Sequence, residues 1–442
     1  MTKQLTMKTK ALFLSLLLAS TLTLSAQDTN YMRQVLRQLT SDAFHGRGYS
    51  FRGDSIAAVF IRGELRRHKI KPLVDNYFQP YTFSVYSMEG PLSLTVDGQK
   101  LKPFTQFRVP SWSRSSWGDF KVLTVPAEVL IDSNALRKFL KKNNNLLQDV
   151  FIYIDLSPWY YSSLGTAKDI LNAAKALQKR NPFNSRGLIV AWPELNTCSP
   201  AYSDYEHGYA YIEVLPSAMP KKVKKINCEI FTQFHPAYPT QNVYGYIPGE
   251  VDTIIVYTAH YDHLGTMGDS IVFYGAHDNA SGVATVLDIA RVTAANAAMG
   301  DKPHYTHVFC FFSGEEAGLR GSKYAYEHPV FDFSKVRLLI NIDMFCGGNE
   351  GIMVFNGDAP ETQPYVERLE KLNEALQIAP EIRRRANRPN SDHYFFSQRM
   401  PALFLLSMGQ RFGGYHDPLD TCERCGLENY LNYVTLIMSL SL

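Results

Sequence analysis

Five short segments of the chain contain histidine and carboxylate side chains, the residue types that bind hard or borderline metal ions. Each segment contributes one candidate ligand, and the set is His260, Asp278, Glu316, Asp343 and His416. One such residue alone is usually an ordinary surface or core feature. Two histidines and three carboxylates without a cysteine suit a divalent cation, with zinc as the first candidate. The sequence therefore predicts a metal centre.

The elements that would position these residues alternate between strands and helices. Continuous apolar runs of buried-strand length occupy residues 253–259, 308–312, 338–342 and 402–406, and the first three lead directly into candidate ligands. Helical spacing of apolar residues follows at 283–290 and again at 365–376. This alternation predicts an α/β fold with a mixed, largely parallel central sheet flanked by helices. Because ligands collect at the carboxyl ends of such strands, we expect the candidate residues to meet there.

The motifs together resemble those of the zinc aminopeptidases of peptidase family M28. The matching stretches are His260-Tyr261-Asp262, residues 275–282, Glu315-Glu316, Asn341-Ile342-Asp343 and Tyr415-His416, with residues 39–47 near the N-terminus. The resemblance implies a zinc-exopeptidase-like fold and two zinc ions. It also implies how the ligands are shared: His260 and Asp343 on one ion, Glu316 and His416 on the other, and Asp278 bridging both.

The resemblance further implies that Glu315 is the general base and that Tyr415 polarises the scissile carbonyl. Physical reasoning agrees with these roles. Consecutive residues of an extended chain point in opposite directions, so Glu316 can face the ions while Glu315 faces the open side and accepts a proton from water. A carboxylate such as Asp278 can span ions roughly 3.5–4 Å apart, and such ions lower the pKa of a shared water toward about 7.

Residues beside the ligands carry further predictions. Asp262 lies two residues after His260 on the same side of the extended chain, so its carboxylate is predicted to accept the imidazole N–H. Asp392 is predicted either to hydrogen-bond to a ligand or to cap a helix. His263 is interpreted as a loop residue. His277 stands where bacterial relatives commonly have Asp, and we expect it to point away from the ions or to line the substrate pocket.

The middle of the chain is predicted to be an inserted domain. Residues 27–88 and 236–442 would form the metallopeptidase domain, whereas residues 89–235 combine short β-like runs at 92–96, 150–154 and 188–191 with aromatic and Pro-rich turns. This stretch is similar to a protease-associated domain, which implies a smaller α+β lid that shapes specificity. Before it, residues 55–69 predict an amphipathic helix whose apolar face carries Ile56, Val59, Phe60 and Gly63.

Residues 1–26 are typical of a signal peptide. They hold three lysines, an apolar run at 11–24 and small residues before residue 27. The apolar run is shorter than the roughly 20 residues that span a bilayer, so we expect export to the periplasm or beyond without membrane insertion. Residues 27–442 carry 42 basic and 42 acidic side chains, and this neutral balance argues against a nucleic-acid partner.

Export permits disulfides among the six cysteines. The sequence leaves their pairing open. Cys310 and Cys346 are interpreted as small buried hydrophobic residues. Cys198 and Cys228 are candidates for a disulfide. Cys422 and Cys425 are interpreted as forming a local disulfide or as two free thiols.

The leading functional hypothesis is an exported di-zinc metallo-aminopeptidase that hydrolyses N-terminal residues from peptides. The alternative is a single-zinc acyltransferase similar to glutaminyl cyclases, although those enzymes typically carry Trp where this chain has Tyr415. A non-catalytic relative is disfavoured, since such proteins lose ligands and all five candidates are present. Metal stoichiometry separates the first two hypotheses. Side-chain preference and oligomeric state are not readable from the sequence.

Overall fold

The computed structural model describes residues 27–143, 147–195, 206–409 and 414–441. The predicted signal peptide and Cys198 lie outside the described residues. The strands are, in chain order, β1 (Lys71–Pro72), β2 (Phe78–Ser87), β3 (Leu92–Val96), β4 (Gln99–Lys100), β5 (Phe107–Arg108), β6 (Ser116–Thr124), β7 (Val150–Asp155), β8 (Gly187–Ala191), β9 (Ala210–Val214), β10 (Lys225–Ile230), β11 (Gln233–Ile247), β12 (Val251–His260), β13 (Thr266–Met267), β14 (Ile271–Val272), β15 (Tyr305–Phe312), β16 (Val336–Ile342), β17 (Gly351–Phe355), β18 (Ile382–Arg385) and β19 (Ala402–Met408). The α-helices are α1 (Thr29–Leu39), α2 (Gly53–Arg67), α3 (Ser133–Lys142), α4 (Ser157–Tyr160), α5 (Gly165–Lys175), α6 (Ser281–Ala298), α7 (Arg320–Glu327), α8 (Gln363–Leu376), α9 (His393–Phe396) and α10 (Tyr430–Ser439).

The larger sheet is built mainly from the second half of the chain. Within the described residues its order is β1-β11-β15-β12-β16-β19-β17-β18, and β2 also pairs with β11. The central strands β15, β12, β16 and β19 are parallel, while β11 and β17 run antiparallel to their central neighbours. The predicted α/β architecture with a mixed sheet is confirmed, and the four predicted strands correspond to β12, β15, β16 and β19.

Side chains of the central strands alternate between two covered faces. Ile255 and Tyr257 belong to a core that includes side chains of α1, α2, α6, α8 and α10. Ile254 and Val256 point to the opposite face and pack in a core with side chains of α7 and α9. Because both faces are covered by helices, the strand interiors are mostly apolar. Thr258 of β12 and His307 of β15 are buried polar exceptions.

Helix α2 confirms the predicted helix near residues 55–69, but the predicted buried face was wrong. Its buried side chains include Ala57, Ile61 and Leu65, whereas Ile56 and Val59 are 36% and 51% exposed. The buried set follows i, i+4 spacing. Of the predicted face, Phe60 is partly buried and packs against the same core.

Residues 89–235 contain a second sheet. Its order in the described residues is β4-β3-β10-β6-β7-β8-β9-β5, and β6 to β9 are parallel. The short runs predicted at 92–96, 150–154 and 188–191 are β3, β7 and β8. The core on one face of this sheet also includes Met267 and Phe273 from outside the insertion. The separate sheet supports the predicted insertion, whose boundaries and lid role stay predictions.

Cys346 and Cys425 form a disulfide. Cys422 is a free buried thiol, as are Cys228 and Cys310. The interpretation of Cys346 as a small hydrophobic residue was therefore wrong, and no disulfide joins the two neighbouring cysteines of the Cys-x-x-Cys stretch. The bonded residues are 79 positions apart in the sequence, and only the folding of the loop after β16 against the segment before α10 brings them together.

Candidate metal centre

The five predicted ligands lie together at the carboxyl edge of the central strands. His260 is the last residue of β12, Asp343 directly follows β16, and Glu316 lies in the turn after β15. Asp278 precedes α6, and His416 lies in the segment after β19. Because β12, β15 and β16 are adjacent and parallel, their carboxyl ends meet at one edge.

The five side chains form two groups that share Asp278. In the first group, His260 Nε2 lies 3.3 Å from Asp278 Oδ1 and 3.2 Å from Asp343 Oδ1. In the second, His416 Nε2 lies 3.3 Å from Asp278 Oδ2 and 3.1 Å from Glu316 Oε2. The two oxygens of Asp278 therefore face different histidines, which is the arrangement that a bridging carboxylate requires.

The spacing of these atoms fits zinc. Tetrahedral zinc with bonds of roughly 2.0–2.2 Å holds any two of its ligand atoms about 3.4 Å apart. The four nitrogen–oxygen distances are 3.1–3.3 Å. The three carboxylates are at most 7% exposed, and buried carboxylates need a compensating cation. Donor types, spacing and burial are thus all compatible with a pair of zinc ions.

The electrostatics of the site favour positive charge. Burial alone lowers the pKa of His260, but the charges of Asp343 and Glu315 raise it well above its ordinary value. Burial also lowers the pKa of His416, and the neighbouring Glu316 outweighs it, raising that pKa to about 11. Metal ions would satisfy the same demand for positive charge and would displace these protons.

His263 lies in the loop after β12, as interpreted from the sequence, and its side chain reaches the site. Its side chain is fully buried, and Nδ1 donates a hydrogen bond of 2.6 Å to Glu316 Oε1. Two ligands of one zinc ion would lie about 3.4 Å apart, so this contact has the length of a short hydrogen bond. His263 also forms, with Asp278 and Glu316, a group of potential ligand atoms that lie within 4.8 Å of one another. The available signal was its place directly after Asp262, where the chain leaves β12.

The carboxylate of Asp262 does not make the predicted bond to His260. The imidazole Nδ1 lies 3.2 Å from the backbone carbonyl oxygen of Asp262 but 3.8 Å from its carboxylate. That carboxylate instead accepts the hydroxyl of Tyr49 at 2.7 Å and the backbone N–H groups of Glu315 and Glu316 at 3.2 and 3.3 Å. These donors draw the carboxylate toward the turn after β15, so it holds the turn that carries Glu316.

Asp392 occupies the N-cap position of α9, one of its two predicted roles, whereas it is Ser391 that hydrogen-bonds to a candidate ligand. Asp392 precedes α9, but its side chain makes no capping bond, and no hydrogen bond joins it to a ligand in the described residues. Ser391 donates to Asp343 Oδ2 at 2.7 Å and accepts a bond of 2.7 Å from Asn341. The side chains of Ser391 and Asp392 leave the backbone in different directions, and only that of Ser391 reaches the candidate ligand Asp343.

Glu315 and Tyr415 adjoin the two groups. Glu315 is half-buried, and burial together with the negative charge of Glu316 raises its pKa well above its ordinary value. Tyr415 is 56% exposed, and its ring stacks on that of His416 with 3.9 Å between ring centres. Burial of its hydroxyl near the carboxylates raises the pKa of Tyr415, so it stays protonated and able to donate.

A cavity of about 550 Å³ opens beside the two groups. Tyr415 and His416 line it on the side of the metal centre, and residues of the insertion, including Arg108, Trp112 and Glu213, line it as well. Residues 89–235 therefore contribute part of the wall of the space next to the candidate ligands.

His277 packs away from the bridging position. Its Nδ1 lies 3.7 Å from Cys346 Sγ of the disulfide, and the side chain is 8% exposed. Burial lowers the pKa of His277 to about 3, so the ring is neutral. The histidine at this position thus leaves Asp278 free to face both histidine ligands.

Residues 242–440 match the model of Peptidase family M28. The chain contains a peptidase family M28 domain. A probable leucine aminopeptidase of Arthroderma otae is 26% identical over 200 residues, which cover 44% of this chain and 55% of that protein. Leucine aminopeptidase 1 of Ajellomyces capsulatus is 35% identical over 109 residues, or 24% of this chain and 28% of that protein. The chain spans 55% and 28% of the length of these relatives.

Solved structures of similar fold cover nearly the whole chain. A peptidase M28 precursor from Shewanella amazonensis matches with a TM-score of 0.65 and 19% identity, covering 96% of this chain and 95% of that one. A zinc aminopeptidase from Bacillus subtilis matches with a TM-score of 0.64 and 17% identity, covering 93% and 94%. At these identities the likeness establishes the fold alone, and it extends through the insertion.

Proposed function

We propose that this M28 protein is a zinc aminopeptidase that uses two ions to remove N-terminal residues from peptides. The observation that carries the proposal is the orientation of Asp278, whose two oxygens face separate histidine–carboxylate pairs. A single-zinc cyclase needs only one such pair. The names of the leucine aminopeptidases that the chain resembles support the same reaction class.

In this proposal His260 and Asp343 would hold one ion, Glu316 and His416 would hold the other, and Asp278 would serve both. Bound zinc supplies Lewis acidity and lowers the pKa of water toward about 7.

Two further side chains then carry the reaction. Glu315 accepts the proton of the attacking water and returns it to the leaving amine, a role that its raised pKa favours. Tyr415 donates a hydrogen bond to the oxygen that develops negative charge on the scissile carbonyl.

The insertion is proposed to select the substrate. The cavity beside Tyr415 and His416 is partly walled by the insertion, and its volume of about 550 Å³ suits a short stretch of peptide. Peptide substrates would thus contact both parts of the chain, as expected of a lid.

Export is also proposed. Residues 1–26 have the composition of a signal peptide. The disulfide between Cys346 and Cys425 supports an oxidising compartment, such as the periplasm or the extracellular space. Among the residues that the structure describes, no helix combines the length and apolar composition needed to cross a bilayer.

The function is tested by measuring metal content and chromophore release from a panel of aminoacyl-anilides. The wild-type protein should hold two zinc ions per chain and release the chromophore. Glu315→Gln should keep both ions and lose roughly 10²–10⁴-fold in kcat. Glu327→Gln on the exposed surface of α7 is the matched control and should behave as wild type. One ion per chain together with pyroglutamate formation from glutaminyl peptides would instead establish the cyclase, and full activity of Glu315→Gln would exclude that residue as the base.

A further inference from the structure

The loop that carries Asp278 is a single distorted π-helical turn, Ala276–Ala280, whose backbone leaves the helical region at Asp278 and Asn279. It begins at Gly275 with φ of +57°, and Asp278 itself has φ −109° and ψ 100°, outside the helical region, before α6 starts. The backbone N–H and C=O groups of such a buried loop must find partners elsewhere. The partners that they find determine where the bridging carboxylate lies.

One partner is Asp420, four residues after the ligand His416. Its carboxylate accepts the backbone N–H of His277 at 2.9 Å and that of Asp278 at 3.1 Å. Its own carbonyl oxygen accepts the N–H of Ala276 at 3.1 Å. Asp420 is 4% exposed, so these charge-assisted bonds form out of water. Asp420 thus accepts hydrogen bonds from the backbone N–H groups of the loop.

The second partner is Arg47, which is completely buried. Its guanidinium donates to the carbonyl oxygens of Tyr274 and Gly275 at 2.7 Å each and of Asp278 at 3.3 Å. It also donates to the carbonyl of Tyr261, the residue after the ligand His260, at 2.9 Å. Arg47 therefore donates hydrogen bonds to the backbone carbonyl groups of the same loop and connects the loop to the end of β12.

We infer that Asp420 and Arg47 are positioning residues that hold the backbone on both sides of Asp278, and so set the affinity for both metal ions. This backbone clamp rests on the proposed metal centre. Because the bridging side chain serves both ions, loosening its backbone weakens both together, unlike loss of a partner to a ligand of one ion. Neither residue needs to contact an ion or the substrate.

The test is metal binding by the full chain after removal of metal with a chelator. Asp420→Asn keeps the size of the side chain but loses its charge and one acceptor oxygen. Zinc titration against a competing chromogenic chelator should show both ions bound 10–100-fold more weakly than in wild type. Cobalt substitution should give a visible absorption spectrum that differs from wild type, a readout of ligand geometry independent of activity.

Asp288→Asn is the control, because Asp288 is an equally buried carboxylate whose partners are Arg291 at 2.6 Å and Tyr430 at 3.0 Å. It should lower thermal stability and leave metal affinity and the cobalt spectrum unchanged. Wild-type affinity and spectrum in Asp420→Asn would overturn the clamp. Failure of the wild-type protein to bind zinc would instead overturn the proposed function.

A second measurement needs no variant, in case Asp420→Asn does not fold. In the metal-free wild-type protein the amide protons of His277 and Asp278 should already be protected from hydrogen exchange, since Asp420 and not the metal holds them. Rapid exchange of both amides before metal is added would overturn the clamp, and protection would support it.

Discussion

Replacement of His263 by alanine should weaken one of the two ions selectively. The bond from His263 Nδ1 to Glu316 Oε1 is 2.6 Å long, buried and charge-assisted. It orients the carboxylate whose other oxygen lies 3.1 Å from His416 Nε2. Loss of such a partner typically costs 10–100-fold in metal affinity, or about 1.4–2.8 kcal/mol. We expect this loss for the ion between Glu316 and His416, with a smaller effect on the ion at His260.

The assay is stepwise zinc titration of the metal-free protein against a competing chelator, with kcat and KM measured at each occupancy. His263→Asn keeps an N–H donor near the position of Nδ1 and should recover part of the affinity. His304→Ala is the control, because His304 is an exposed histidine that also contacts a glutamate.

Two results would refute this reasoning about His263. A variant that holds one ion at any zinc concentration would make His263 a ligand, in conflict with the 2.6 Å contact. Unchanged affinity for both ions would mean that the hydrogen bond does not orient Glu316 at all.

Three further predictions concern the oxyanion donor, the disulfide and acid stability. Tyr415→Phe should lower kcat about 10²–10³-fold with little change in KM, measured with aminoacyl-anilides, and an unchanged kcat would contradict the role of the hydroxyl. Replacing Cys346 and Cys425 together by serine should lower the free energy of unfolding by about 2–4 kcal/mol in denaturant titration, whereas equal midpoints would contradict a bridge that stabilises the fold. Burial lowers the pKa of His307 to about 4. Between about pH 6.5 and pH 4 the histidine is therefore protonated in the unfolded chain but neutral in the folded chain. Its contribution to stability is complete above pH 6.5 and falls by up to about 3 kcal/mol as the pH drops toward 4, so His307→Gln should lose less stability over that range. Parallel losses in the two proteins would exclude His307 as a cause of acid sensitivity.

The strand-borne part of the site could be predicted because two simple constraints coincide there. Strands covered on both faces are mostly apolar, so ionisable residues such as His260 and Asp343 are expected chiefly where a strand ends. In a parallel arrangement these ends lie at one edge, and the ligands meet without any knowledge of loop structure. The central sheet and the convergence of His260, Glu316 and Asp343 follow from the same two constraints.

The supporting contacts could not be predicted, because they depend on which atoms a loop turns inward. Asp262 and His263 are adjacent in the sequence, but their side chains have different partners. The carboxylate of Asp262 accepts a backbone N–H of the Glu315–Glu316 turn, whereas the imidazole of His263 contacts the side chain of Glu316. Spacing alone assigned Asp262 to His260, since it cannot weigh a carboxylate against a backbone carbonyl as partner for the same imidazole. Likewise, Ser391 and Asp392 both carry a polar side chain, and only the direction of each side chain at the start of α9 shows which one reaches Asp343.

The histidine at position 277 illustrates why backbone contacts matter for the bridging site. A change from Asp to His directly beside Asp278 would be expected to disturb a ligand that is positioned by its neighbours' side chains. Here Asp420 accepts the N–H of residue 277, a group that every amino acid except proline supplies. The side chain of residue 277 can then pack against Cys346 without moving the ligand. A loop held through its backbone therefore tolerates side-chain change next to the bridging carboxylate, and we expect His277→Asp to retain both metal affinities, whereas His277→Pro, which removes the N–H, should lose them.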